Sequence, residues 1–146
     1  MKVTKTLFTL AVALLALTAC NNEDDIDEIF VNRTWYMNGI AINGTTSSEE
    51  TRNFYKDTDS QCYYITFSSD TFYGALSSGI TFSGTWNADG KHQKITLHLQ
   101  QKTASNLIFD KQMYQILSSI TSYKSGADFL QLYDDNQNII RLGTMR

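Results

Sequence analysis

Two cysteines, two histidines and fifteen carboxylates are the side chains of this sequence with the means to do acid–base, nucleophilic or metal chemistry. Cys62 stands in the strand-like run Cys62-Tyr63-Tyr64-Ile65-Thr66-Phe67, with no histidine adjacent in sequence. A thiol nucleophile needs a base beside it, so the run favours a small side chain packed in or beside a sheet. His92 and His98 are six residues apart with no carboxylate at ligand spacing between them. A zinc site needs three or four converging ligands. Asp134, Asn136 and Asn138 are spaced like the first three ligands of a calcium loop, but Ile139 occupies the glycine position and Met145 that of the closing glutamate. A turn between strands accounts for them fully. The chain has no Gly-x-Ser-x-Gly elbow, phosphate loop or His-Glu-x-x-His pair. The expectation is a non-enzymatic protein without cofactor or metal. The alternative is a hydrolase whose carboxylate pair, or Cys62, is assembled only in space.

The N-terminus places that chemistry. Lys2 and Lys5 precede an apolar run from Leu7 to Leu17, broken only by Thr9, which ends in Leu17-Thr18-Ala19-Cys20. The run is too short to span about 30 Å of hydrocarbon and suits a signal peptide over residues 1–19. Its ending resembles the lipobox of bacterial lipoproteins, where a small residue precedes the cysteine that receives lipid. Several acyl chains on one cysteine anchor stably, whereas a single chain does not. Cys20 is thus the expected lipidation site and the membrane the expected partner.

Residues 20–29 carry five acids between Glu23 and Glu28, which read as an extended, solvated tether. The stretch also resembles the acidic export signal of surface lipoproteins of the Bacteroidota. That resemblance implies outer-membrane display at the cell surface, with a periplasm-facing protein as the alternative. Removing residues 1–19 takes Lys2 and Lys5 from the twelve basic side chains and leaves ten against fifteen acids, a net charge of −5. Such a field repels nucleic acid.

The remaining residues, 30–146, suffice for one domain, and eight Phe, eight Tyr and two Trp can fill its core. They alternate with period two. Trp35 and Met37 share a face, as do Tyr63, Ile65 and Phe67; Phe82, Gly84 and Trp86 alternate with Ser83 and Thr85. Ile95, Leu97 and Leu99 continue the pattern beyond the turn Asn87-Ala88-Asp89-Gly90, with His98 pointing the other way. Leu130 and Leu132 face Ile140 and Leu142 across Asp134–Gln137, as in a hairpin. One segment differs: Met113, Ile116, Leu117 and Ile120 recur at helical spacing and predict a helix over 110–119, with Asp110 capping its first amides. The polar stretch of nineteen residues from Asn43 to Gln61 is long for a loop inside a compact domain. Its Phe54 and Tyr55 are candidate contacts for a small ligand or an envelope protein, and Tyr73, Tyr123 and Tyr133 are further candidate exposed aromatics.

The order of these pieces resembles the META domain, a small β fold of bacterial envelope lipoproteins. The resemblance rests on Phe82-Ser83-Gly84-Thr85-Trp86, Asp89-Gly90, Ile116 to Tyr123 and Phe129 to Asp135, and spans roughly residues 30–142. A Gly-Cys-Asn segment and a later Met-x-Cys of that family are absent. A lipocalin-like lipoprotein domain would share the early Trp35 and the hairpins. The resemblance implies a mostly β fold with one short helix, an antiparallel curved sheet or open barrel, and no catalytic residue. Trp35, Phe82, Trp86, Ile95, Leu97, Met113, Leu117, Leu130 and Leu132 are expected to be buried together. Radiolabelled palmitate should enter the full chain in cells and be lost in Cys20→Ala. An unlabelled wild-type chain would refute the anchor.

Overall fold

Strands with one apolar face can hide all those faces at once by curling until the first strand meets the last. This chain does so. The computed structural model describes residues 23–44, 63–77 and 79–144. A short helix, α1 (Ile26–Phe30), leads into β1 (Arg33–Ala41), β2 (Tyr64–Phe67), β3 (Thr71–Ser77), β4 (Ile80–Asp89) and β5 (Lys94–Lys102). A longer helix, α2 (Ile108–Ser119), precedes β6 (Ser122–Ser125), β7 (Phe129–Tyr133) and β8 (Ile139–Gly143). Every strand pairs antiparallel with the next, and β8 pairs back onto β1, closing an eight-stranded barrel. The mostly β, antiparallel fold expected from the alternation is the one observed, and its sheet is fully closed.

The nine side chains expected in the core are all buried. They share the interior with Ile65, Phe67, Phe72 and Tyr123, among others, as befits a barrel of eight strands, which is just wide enough for side chains to fill. Both tryptophan N–H groups find carbonyls. Trp35 Nε1 donates to Ile29 O at 3.2 Å and Trp86 Nε1 to Ser68 O at 2.9 Å. Gly84 is required on β4 beside the irregularity where β5 carries the extra residue Gln100, because a Cβ there would run into the His98 carbonyl of β5.

Closure is thinnest between β5 and β6. Their register is the single pair Lys94↔Ser122, flanked by Ile95 N to Thr121 O and Tyr123 N to Gln93 O. α2 connects these two strands and buries Met113, Tyr114, Ile116 and Leu117. Its Tyr114 hydroxyl donates to Thr103 O at 2.9 Å and Thr81 O at 3.3 Å, latching it to β4 and the end of β5. The helix starts at Ile108, two residues before the expected position, so Asp110 lies inside it. No side chain caps α2, and Asp110 instead accepts from the Ser105 hydroxyl.

The acidic segment behaves differently from the solvated tether expected for residues 20–29, because from Asp24 onward it is seated on the barrel. Asp25 caps α1 by accepting from Glu28 N at 3.1 Å. Phe30 then inserts its ring 5.1 Å from those of Phe67, Trp86 and Tyr123. Asp24 N donates to Gly90 O at 3.2 Å, an approach open only to glycine since a Cβ at residue 90 would collide with the Asp24 carbonyl. The Asp24 carboxylate accepts from Tyr123 Oη at 2.9 Å and Gln93 Nε2 at 3.2 Å. Burial, helped by that bond to Asp24, raises the Tyr123 pKa well above its ordinary 10.0. Burial also raises that of Tyr114, with the charge of Asp110 adding to it.

Two measurements test this packing. Trp86→Ala should lower unfolding free energy by about 3–5 kcal/mol in a denaturant titration, whereas Tyr73→Ala, on the outside of β3, should cost roughly 1 kcal/mol or less. A phenol with a raised folded pKa holds its proton in the native state after the unfolded chain has lost it. Stability is therefore full below pH 10 and should fall as pH rises beyond it. Tyr123→Phe should weaken this alkaline loss, and adding Tyr114→Phe should weaken it further. Identical alkaline profiles for wild type and both variants would contradict the assignment.

Candidate functional site

Cys20, Phe54, Tyr55 and Cys62 lie outside the described residues. Within the described residues, the groups first considered for chemistry serve the fold. His92 Nδ1 lies 2.6 Å from Asp89 Oδ2 in the exposed β4–β5 turn, and the hydrogen bond from His92 draws the Asp89 pKa below its ordinary value. His98 points outward from β5. Asp134 accepts from Asn136 N, Asn138 N, Asn138 Nδ2 and the Ser119 hydroxyl, which makes it the organiser of the β7–β8 turn and a tie to the end of α2. Burial works to raise its pKa, and these hydrogen bonds more than offset that, leaving it lowered. Among the described residues no three His, Cys, Asp or Glu side chains converge as a metal site.

Of the aromatics named as exposed candidates, Tyr73 is 51% exposed. Tyr123 is the opposite, with no exposed surface, since it belongs to the ring cluster around Phe30. Tyr133 is half-buried and donates its hydroxyl to Tyr123 O.

Tyr73 belongs to a band the sequence reading did not assemble. On the outward phase of the first five strands, Tyr36 lies opposite Tyr64, Tyr73 opposite Ser83, and Ser83 opposite Gln101. The rings of Tyr36 and Tyr64 are 6.4 Å apart, and those of Tyr64 and Tyr73 are 6.3 Å apart at 86°. Tyr64 and Tyr73 thus form a corner, one ring presenting its face and the other its edge. Beside them runs a groove of about 400 Å³, lined also by Ser83, Gln101 and Lys102. Its far end is held by Thr81 and Thr103, whose hydroxyls are 3.3 Å apart and whose backbones join through Thr103 N to Thr81 O at 2.9 Å. Lys102 Nζ sits 5.3 Å above the Tyr114 ring and is the only charged side chain among the described residues that line the groove. The signal for this band was available: Tyr36, Tyr64 and Tyr73 occupy the phase of each strand that the apolar pattern assigns to solvent. That they form one row follows from register.

The band lies toward the barrel end where β2 and β4 begin and β5 finishes, the end that carries α2. The chain enters at the other end, where Asp24 docks on Gly90.

No curated protein matches the chain. Among solved structures, the barrel is similar to a crystal structure of a DUF4847 family protein from Bacteroides vulgatus, with a TM-score of 0.66 and 19% identity over 82% of this chain and 97% of that one. It is also similar to a protein from Burkholderia xenovorans determined by NMR, with a TM-score of 0.58 and 13% identity over 87% of this chain and 92% of that one. At these identities the likeness is one of fold. The model of the domain of unknown function DUF4847 matches residues 21–143, so the chain belongs to the DUF4847 family.

Proposed function

We propose that this protein is a non-enzymatic binding or accessory module of the bacterial outer membrane, anchored by lipid on Cys20 and displayed at the cell surface. The observation that carries the binding role is the outward band of Tyr36, Tyr64 and Tyr73 beside an open groove. Aromatic side chains that are rigid, apolar on their faces and polar at one end are suited to recognition. Among the described residues no group is hydrogen-bonded to their hydroxyls. The barrel is apolar inside and polar outside, the reverse of a membrane-spanning barrel, so attachment calls for an anchor such as the leader supplies. Asp24 docks at the end opposite the groove, so an anchor attached upstream of it would turn the groove away from the bilayer. The likeness of residues 30–142 to META domains supports the same envelope class. A hydrolase reading finds less support, since Asp24, Asp89, Asp110 and Asp134 all accept bonds that hold the fold.

The test has two parts. Protease added to whole cells should remove the domain from wild-type cells, and the Cys20→Ala protein should leave the membrane fraction. Full chain purified in detergent should retain an envelope component that Tyr73→Ala retains at least ten-fold less, while its unfolding free energy stays within about 1 kcal/mol of wild type. Equal retention by wild type and Tyr73→Ala would overturn the binding role.

A further inference from the structure

We infer that the groove beside Tyr64 and Tyr73 is a subsite for a neutral pyranose oligosaccharide. The inference rests on the proposed binding role of this flank and goes beyond it by assigning the ligand's chemical class. A pyranose has C–H faces and a rim of hydroxyls that both donate and accept. The groove has the matching parts on matching sides. The perpendicular Tyr64 and Tyr73 rings, 6.3 Å apart, form a corner in which a sugar ring can lie on one phenol and abut the other. Ser83 stands directly across from Tyr73, and Gln101 directly across from Ser83. A hydroxyl and a carboxamide each donate and accept, so both can pair with sugar hydroxyls whichever way these point. Tyr36 continues the row of rings onto β1, giving an extended chain a second platform.

Charge selects against other ligands. Among the described residues no carboxylate lines the groove, so these residues offer a polycation no partner. The one cation among the described lining residues, Lys102, rests over the Tyr114 ring, and fifteen acids against twelve bases set an overall field that repels a polyanion. An extended peptide seeks the hydrogen bonds of a strand edge, whereas Tyr73 and Ser83 lie on β3 and β4, each paired on both sides.

Isothermal titration of the full chain in detergent, against neutral tetrasaccharides of glucose, mannose, galactose and xylose, tests the assignment. At least one should bind. Its affinity should fall ten-fold or more in Tyr64→Ala and Tyr73→Ala and several-fold in Gln101→Ala, but change less than two-fold in Tyr73→Phe, which keeps the ring. Lys102→Gln should likewise change it less than two-fold. Failure of all four sugars would overturn the inference, as would binding indifferent to Tyr73→Ala. Binding of tetragalacturonate alone, lost in Lys102→Gln, would overturn it in favour of an acidic ligand. If the sugars fail while Tyr73-dependent retention of an envelope component persists, the ligand class is wrong and the binding role stands. If both fail, both fall.

Discussion

An eight-stranded barrel with an apolar interior is stable only if water is kept out of its two ends, and the rest of this structure depends on that constraint. Side chains fill the lumen of such a barrel, yet strands alone leave its mouths open. One mouth is shut by Phe30, delivered by a helix of five residues into contact with Phe67, Trp86 and Tyr123. The other carries α2, whose Met113, Tyr114, Ile116 and Leu117 join the same core. That helix also backs the seam at which β5 and β6 share one register pair. Losing either plug would expose aromatic surface worth roughly 1.5–3 kcal/mol per large side chain, a good part of the 5–15 kcal/mol typical of a domain.

Polar groups serve the same end. Asp24 joins the entering chain to Tyr123 and Gln93, Asp134 joins the β7–β8 turn to α2, and Tyr114 joins α2 to two strand ends. Each carboxylate converts a loop into part of the rim, where hydrogen bonds compensate its partial desolvation. Asp134, with Asn136 and Asn138, was a candidate for chemistry because acids and amides are common to metal sites and to turns, and here the turn claims them. One atom is exceptional among the described residues: Asp110 Oδ1 is buried without a hydrogen-bond partner.

With the inward phase committed to the core, the outward phase is free for recognition. Closure aligns the outward residues of successive strands, so that tyrosines from three strands and polar residues from two more become one surface. The same closure puts the chain's entry and the groove at opposite ends.

The sequence by itself determined the periodicity, and with it most of the core. Trp35, Phe82, Trp86, Leu97 and Leu130 could be assigned to the interior because strand side chains alternate faces with a period of two, whatever the strands pair with. The helical spacing of Met113, Ile116 and Leu117 was legible for the same local reason. Asp24 to Phe30 was not, since five acids in a row of eight residues look solvated until Gly90 and Tyr123 are brought beside them from 66 and 99 residues away. Tyr123 misled in the opposite sense: a lone tyrosine outside a clear apolar pattern looked exposed, and only the ring of Phe30 shows that it is core. The row Tyr36–Tyr64–Tyr73–Ser83–Gln101 was likewise decided by tertiary structure. Each residue is outward by its own strand's alternation, but which outward residues become neighbours is set by register, and register is a property of paired strands rather than of any one of them.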